Sequence, residues 1–265
     1  MSNLTMKIEE MKVEKGSFAI FWLSQGSFVF KTEHGKIIYV DPYLSNSVER
    51  VYGQKRLVPI PIPPEEVRAD LVVITHDHLD HLDPDTILPL SKVCNARFLG
   101  PLSCVYHLLE IKIDRDRIIE VNRGETKVVE GIKISAVHAE HTEDSVGYVF
   151  DFDGIKVYIS GDTKNNEKLK KVASFHPDVA LICANGKPKG EFMNLNADEA
   201  ALLTKIINPR IVIPMHYGLF AEVDEDPQKF VDALKKQNVP VECMTMDFKG
   251  CYLYNGQSPT SFRRG

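Results

Sequence analysis

The chain opens with three short apolar runs that have the length of β-strands. They cover residues 17–23, 27–32 and 36–41, and polar breaks that contain glycine separate them at 24–26 and 33–35. Runs rich in Phe, Val and Ile and bounded by turn residues are typical of strands joined by tight turns. The pattern therefore predicts a β-meander at the start of the fold.

Strand and helix patterns alternate after residue 70. Asp83 and Asp226 each precede a proline that suits the first position of a helix, and Asn196 stands three residues before Glu199, as in a capping box. The predicted strands are 71–75, 96–100, 116–121, 126–130, 132–137, 145–151, 155–160, 178–183 and 210–214. The predicted helices begin at 84 and cover 101–110, 197–207 and 227–237.

Several strands followed by a strand–helix unit, and then the same order again, predict two mixed β-sheets. Packed face to face with helices on their outer faces, they form a four-layer αββα sandwich of the α/β (α+β) class. No Gly/Ser-rich linker divides the chain, so we expect residues 1–265 to form a single domain. The proline-rich stretch 56–67 cannot be a central strand, because proline lacks the N–H donor. We expect an extended connection there, beside the functional site.

Composition narrows the class of protein and its partners. The formal net charge is −5 over 265 residues, which disfavours nucleic acid and favours a small-molecule substrate. Residues 1–16 lack the apolar core of a signal peptide, and the run 18–23 is too short to span a bilayer. Five cysteines without a CxxC pair are typical of reduced thiols, so we expect a cytoplasmic protein. The sequence is compatible with a homo-oligomer as well as with a monomer.

Potential metal ligands follow directly after predicted strands. Strand 71–75 runs into the sequence THDHLDH, and three later strands also end in His or Asp. The candidates are His76, His78, Asp80, His81, His138, His141, Asp162 and His216. If these strands are neighbours, one edge of the sandwich collects all of these side chains.

The spacing of these residues suits two metal ions. One group is His76, His78 and His141, a second is Asp80, His81 and His216, and Asp162 bridges the two. His138 competes with His141, and we favour His141. Each ion keeps a position open for water, and two divalent ions can hold one hydroxide between them as a nucleophile. Asp41, at the end of run 36–41, is the candidate that orients a liganding histidine.

These motifs resemble those of a known family. THDHLDH resembles the HxHxDH signature of the metallo-β-lactamase superfamily, and IIYVDPYL, AEHT, YISGDT and VIPMHYG resemble its other motifs in the same order. Within it, GSFAIFWL, RFLGPLSC and PDVALICANGKPKGEFMNLNADEA are most similar to the L-ascorbate-6-phosphate lactonase-like branch.

The resemblance implies the αββα fold, two divalent ions (Mn²⁺ or Zn²⁺) and hydrolysis of a sugar-derived lactone. The ligands that it implies are His76, His78, Asp80, His81, His141, Asp162 and His216. The chain departs from the family at Ser24-Gln25, where many relatives have Gly-His. It is also shorter than the lactonase, and the lactonase has Asp where this chain has His141.

The sequence therefore predicts a metal-dependent hydrolase acting on a lactone or other ester of a small metabolite, with or without a phosphate group. Asp80 and Asp162 are the predicted catalytic carboxylates, and Asn185, Asn194 and Tyr217 are candidate substrate contacts. One alternative is a phosphodiesterase acting on a small phosphodiester or RNA with the same metal pair. Another is a metal-binding or sensor protein without catalysis.

Overall fold

The structure, a computed structural model, describes residues 1–186, 194–256 and the backbone of 263–264. Its strands are β1 (Ser17–Ser24), β2 (Ser27–Thr32), β3 (Ile37–Val40), β4 (Leu71–Val73), β5 (Arg97–Gly100), β6 (Ile118–Glu120), β7 (Thr126–Val129), β8 (Ile132–His138), β9 (Val146–Phe152), β10 (Ile155–Ile159), β11 (Val179–Cys183), β12 (Ile211–Met215), β13 (Glu242–Cys243), β14 (Cys251–Asn255) and β15 (Arg263–Arg264). Its α-helices are α1 (Asn3–Glu10), α2 (Ser47–Tyr52), α3 (Pro84–Val93), α4 (Leu102–Glu110), α5 (Ala197–Ile207) and α6 (Pro227–Lys236). Short 3-10 helices cover Pro64–Glu66, Arg115–Arg117 and Glu167–Phe175.

The strands form two mixed sheets, as the sequence pattern predicts. The first has the order β15-β14-β1-β2-β3-β4-β5-β6, and the second has the order β13-β12-β11-β10-β9-β8-β7. In each sheet a hairpin-connected antiparallel part joins a parallel part, which begins at β3 in the first sheet and at β10 in the second. Parallel strands need helical crossovers, and these place helices on the outer faces.

Strand β1 shows why its sequence is apolar at nearly every position. Phe18, Ile20 and Trp22 belong to the core between the sheets, whereas the alternate residues Phe21 and Leu23 belong to the core under the helices. Both faces are therefore covered. Across the central core the ring of Phe18 lies 5.4 Å from that of Phe152, measured between centroids. The two sheets thus pack face to face.

The outer layers confirm the predicted αββα sandwich. Helices α3 and α4 pack on the first sheet, and α5 and α6 pack on the second. The predicted caps form: Asp83 accepts from the backbone of α3, Asp226 does so for α6, and Asn196 and Glu199 make a reciprocal capping box at α5. None of the helices in the described ranges is long and apolar enough to cross a membrane.

One edge of the sandwich collects the ends of strands from both sheets. Strands β3 and β4 end there in the first sheet, and β8, β10 and β12 run in the same direction as one another in the second. The hydroxyl of Tyr148 donates to the carbonyl of Ile74 at 2.8 Å, and the N–H of Val146 donates to the carbonyl of Thr75 at 3.0 Å. These bonds hold the two sheets together at this edge.

Candidate metal centre

The loop after β4 carries four of the predicted ligands. His76 and His81 are fully buried, Asp80 is partly exposed and His78 lies at the surface. The backbone N–H of His81 bonds the carbonyl of His78 at 2.9 Å, so the chain turns between these residues. The turn lets a span of six residues present four ligands around one point.

Asp41 orients this loop from the end of β3. Its carboxylate accepts hydrogen bonds from the N–H and the hydroxyl of Thr75, at 2.8 and 2.6 Å, and from Nδ1 of His81 at 2.7 Å. The Thr75 oxygen also lies 3.0 Å from Nδ1 of His76. Because Nδ1 is engaged in both rings, the lone pairs of the Nε2 atoms face the site, as in metal-binding histidines.

The second sheet contributes three more side chains. His141 follows β8, Asp162 follows β10 and His216 follows β12. Nε2 of His141 lies 3.0 Å from Nδ1 of His78, and Oδ2 of Asp162 lies 2.9 Å from Nε2 of His216. Oδ1 of Asp162 lies 3.6 Å from Nε2 of His81. Asp162 thus stands between histidines of both sheets.

The structure also separates His138 from His141. Nε2 of His138 lies 2.8 Å from the carboxylate of Glu140, and its ring lines a different cavity beside Arg123 and Lys168. The strand ends between the two histidines, so their side chains point in different directions. His141 is the one that joins the cluster.

The donor atoms fit divalent cations. The ligand atoms in each of three overlapping groups lie within 4.8 Å of one another; the groups are His76, His78 and His141; His76, His81 and Asp162; and Asp80, His81 and His216. Within the described residues, Nε2 of His76, Nε2 of His81 and Oδ1 of Asp162 are buried without a hydrogen-bond partner. Buried polar atoms left in this way are costly unless a cation binds them. Imidazole and carboxylate together suit Zn²⁺ and Mn²⁺.

The electrostatics differ between the two fully buried histidines of the centre. Burial, reinforced by the neighbouring His81, holds the pKa of His76 well below its ordinary value, so this ring is neutral and can donate a lone pair. Burial also opposes charging of His81, but the carboxylates of Asp80, Asp162 and Asp41 outweigh it and raise its pKa to about 10. Burial opposes ionisation of Asp162 too, yet the surrounding histidines bring its pKa well below the ordinary value. The carboxylates of Asp80 and Asp162, which favour the charged form of His81, would also favour a cation bound beside them.

The sequence as a whole places this centre in a family. The model of the β-lactamase superfamily domain matches residues 19–216, which include every residue of the cluster. The chain belongs to this superfamily. It is a metal-dependent hydrolase with the metallo-β-lactamase fold.

Relatives and solved structures agree with this assignment. The chain is 28% identical to a "UPF0173 metal-dependent hydrolase" of Archaeoglobus fulgidus, over 89% of this chain and 99% of the relative. It is 27% identical to the "Probable L-ascorbate-6-phosphate lactonase UlaG" of Escherichia fergusonii, over 85% and 77% of the two chains. The structure of Igni18, a metallo hydrolase of Ignicoccus hospitalis, superposes with a TM-score of 0.71 at 22% identity and covers 90% of this chain and 98% of its own.

Two of the three predicted substrate contacts of the hydrolase lie at the centre. The amide of Asn194 donates to Oδ2 of Asp162 and to Oδ1 of Asn185, both at 3.0 Å. Asn185 in turn donates to the carbonyl of Val223 at 3.0 Å. These amides therefore orient the carboxylate of Asp162, and they also line a cavity beside the cluster.

Tyr217 lies elsewhere than the sequence suggests. Its hydroxyl donates to the carbonyl of Met246 at 3.1 Å, and its ring packs 4.6 Å from that of Trp22. It is absent from the described lining of the cavity. The sequence placed Tyr217 among the candidate substrate contacts, but its side chain packs against the central core instead.

Gln25, at the point where the chain departs from the family, is a residue of the site that the sequence did not predict to lie there. Ser24 and Gln25 have φ values of 112° and 52°, and at Gly26 a Cβ would lie only 3.0 Å from the ring of His81. The turn between β1 and β2 therefore closes over the centre. The buried amide of Gln25 donates to Oδ2 of Asp80 at 3.3 Å and lies 3.1 Å from Nε2 of His216.

The variant Gln25→Asn is expected to lower kcat about tenfold. Asparagine tolerates a positive φ but is one methylene shorter, so the turn keeps its shape while the amide withdraws from Asp80. A hydrogen bond to a charged group contributes about 1.5–3 kcal/mol, and a long one lies at the lower end of this range. Steady-state kinetics with a melting curve measure the effect. A kcat within twofold of wild type would show that Gln25 only fills space.

The variant Asp41→Asn is expected to weaken metal binding about 10- to 100-fold, as removal of such partners does elsewhere. Asp41 has a φ of 44°, which asparagine adopts readily, so the backbone stays in place. The neutral amide then cannot accept all three bonds that the carboxylate accepts from Thr75 and His81. Competition with a chromophoric chelator measures the affinity. An unchanged metal affinity would show that the hydrogen bond between His81 and Asp41 contributes nothing to metal binding.

A cavity of about 380 Å³ opens beside the cluster. Its described lining consists of Val48, Tyr52, Gln54, His78, Leu79, Asp80, His141, Asp162, Asn185, Asn194, His216, Phe220 and Val223. The volume is at the lower end of the range for small-molecule sites. A small metabolite therefore fits against the metal ligands.

Proposed function

We propose that this hydrolase opens lactones or cleaves related esters of small metabolites, with two divalent cations, Mn²⁺ or Zn²⁺, held by the seven-residue cluster. One observation carries the proposal: ligand atoms from both sheets converge at the floor of a small cavity, and three of the buried ones lack a hydrogen-bond partner among the described residues. The lactonase named among the relatives supports the choice of a lactone.

The cations would be held in two groups, by His76, His78 and His141 and by Asp80, His81 and His216, with Asp162 between them. When bound, such ions lower the pKa of water and polarise a carbonyl oxygen. The other contributions come from the chain itself. Water adds to the carbonyl carbon, the ring C–O bond breaks, and the ring oxygen leaves as a hydroxyl group of the resulting hydroxy acid.

Asp80 is the proposed proton carrier in this reaction. Its side chain is partly exposed, and Oδ2 lies 3.5 Å from Nε2 of His81 and 3.7 Å from Nε2 of His216. The carboxylate can therefore orient a water molecule at the cavity floor, accept its proton and return it to the leaving oxygen. Gln25 steadies Asp80 from the buried side.

Asp162 has a different role, because its carboxylate is buried and two neighbouring side chains hold it in place. His216 and the amide of Asn194 contact the same carboxylate oxygen, Oδ2. Its negative charge would balance the charge of the cations, and its contacts would keep the two groups of ligands at a fixed separation. We infer that it acts by position and charge.

The test compares three substrates with Mn²⁺- and Zn²⁺-loaded protein: a sugar lactone, the same lactone with a phosphate, and a chromogenic phosphodiester. Turnover of either lactone, lost in Asp162→Asn, is the expected result. Turnover of the diester alone would replace the proposal by a phosphodiesterase with the same centre. A loaded protein that turns over none of a broad ester and diester panel would indicate a metal-binding protein without catalysis.

The setting of the reaction is also a proposal. We infer that it takes place in the cytoplasm, because all five cysteines are free thiols. The partner proposed for the site is its small-molecule substrate.

A further inference from the structure

The lining of the cavity combines two chemically different sets of residues. The polar set consists of the metal ligands His78, Asp80, His141, Asp162 and His216 together with Gln54, Asn185 and Asn194. The apolar set consists of Val48, Leu79, Phe220 and Val223, with the exposed ring of Tyr52 beside them. These apolar residues, apart from Tyr52, belong to a small hydrophobic cluster that is separate from the cores of both sheets. Val48, Leu79, Phe220 and Val223 therefore form an apolar surface at the site, which we call the wall.

Hydrogen bonds hold this wall in place. Arg56 lies 5.0 Å over the ring of Tyr43 and donates to the carbonyls of Tyr43 and Ser45, both at 3.2 Å. The N–H of Leu57 donates to the carbonyl of Leu219 at 2.7 Å, and Arg56 forms a β-bridge with Phe220. The segment that contains α2 is thus tied to the loop after β12. Such a preformed surface can bind an apolar group without first being ordered.

The charges of the cavity lining also favour an apolar group over a phosphate. Asp80 and Asp162 are the charged carboxylates on it, and its described residues include no lysine or arginine. Arginine and lysine are the residues that usually bind phosphate. Lys187 and Lys189, which follow Asn185 in the sequence, lie outside the described residues. The described wall therefore suits a hydrocarbon group and offers nothing specific to a phosphate.

We propose that the substrate is a lactone or ester with an apolar substituent, and that this substituent lies against the wall of Val48, Leu79, Phe220 and Val223. The inference rests on the proposed function, because it takes the reacting carbonyl to lie at the metal ligands. It replaces the phosphorylated sugar suggested by the lactonase resemblance with a substrate that carries a short alkyl or aromatic group.

The experiment measures kcat/KM of the metal-loaded protein for γ-butyrolactone, for γ-lactones with butyl and hexyl side chains, and for a phosphorylated sugar lactone. Each methylene that leaves water for an apolar surface is expected to raise kcat/KM about three- to fourfold until the cavity is filled. The butyl lactone is therefore expected to exceed the unsubstituted one by at least about 30-fold. The phosphorylated lactone is expected to be poorer than the butyl lactone.

Two variants test whether the wall causes this preference. Tyr52→Ser removes the ring at the rim, and Val51→Ser is its matched control, because both residues are more than half exposed on α2 while Val51 is absent from the described lining. Val223→Thr makes the wall polar at nearly constant volume. Tyr52→Ser and Val223→Thr are each expected to reduce the butyl-to-unsubstituted ratio of kcat/KM about threefold or more. Val51→Ser is expected to leave the ratio unchanged.

The outcomes separate the two proposals. If all lactones are hydrolysed but the ratio is near one, or if the phosphorylated lactone is preferred, the apolar-substituent proposal is wrong and the lactonase proposal stands. If a phosphodiester is hydrolysed and no lactone is, the proposed lactonase function is wrong, and the apolar-substituent proposal falls with it. If the ratio is high but identical in wild type, Tyr52→Ser and Val223→Thr, the preference arises elsewhere and the wall has no part in it.

Discussion

The variant Asp162→Asn is expected to lower kcat/KM for the preferred lactone by about 10³-fold or more. Asp162 is the only residue of the described cluster whose carboxylate lies within 4 Å of His81, His141 and His216. Asparagine has the same shape and can still accept the bond from Asn194, so the backbone and the cavity are preserved. What disappears is the negative charge between the cation groups. Stabilisation of transition-state charge by metals contributes several kcal/mol, which corresponds to about three powers of ten in rate.

The control for this variant is Asp153→Asn, at the hairpin turn between β9 and β10. Its carboxylate is exposed, and the turn lies at the far end of the strand that leads to Asp162. It has a φ of 52°, which asparagine also tolerates. The control is expected to keep full activity. If Asp162→Asn retained more than a tenth of the wild-type kcat/KM, the bridging role of this carboxylate would have to be abandoned.

Chelation is expected to lower the melting temperature by about 5–10 °C. Metal at 100 times its dissociation constant stabilises the native state by about 2.7 kcal/mol, and 1 kcal/mol shifts the melting temperature of a protein of 150–250 residues by about 2–4 °C. The physical source is the set of buried ligand atoms on His76, His81 and Asp162 that have no partner among the described residues. Without a cation, the carboxylates also repel one another.

Differential scanning calorimetry measures this shift with protein dialysed against chelator and then reloaded with Mn²⁺ or Zn²⁺. The variant His76→Ala serves as the comparison, since its impaired centre is expected to show a much smaller shift. Equal melting curves for the chelated and reloaded wild-type protein would argue that the cluster binds no metal tightly. This readout does not depend on knowing the substrate.

Much of the fold follows from local sequence signals. The caps at Asp83, Asn196 and Asp226 form as predicted because a side-chain oxygen next to a helix start satisfies nearby N–H groups regardless of the tertiary setting. The assembly of ligands was also foreseeable, because each one follows an apolar strand. Parallel neighbours then bring these strand ends to the same edge. Asp41 was proposed from the sequence to orient one of the histidines, and its carboxylate lies 2.7 Å from Nδ1 of His81.

Other features depend on contacts between distant parts of the chain. Strand β14 pairs with β1 across more than 220 residues, and its sequence alone carries no sign of that partner. Helix α2 has only six residues, too few for a helical period to be visible, yet two of them, Val48 and Tyr52, line the cavity. Gln25 reaches Asp80 only because a strained turn closes over the loop after β4. Such contacts are properties of the assembled sandwich.

The central claim is that seven side chains from the two sheets hold a pair of divalent cations. The most direct test is the metal content per chain, measured by inductively coupled plasma mass spectrometry after loading and removal of free metal. The wild type is expected to retain two ions, and a variant that combines His76→Ala with Asp162→Asn is expected to retain fewer than one. A wild type that retains one ion or none, or a double variant that retains as much metal as the wild type, would contradict the account.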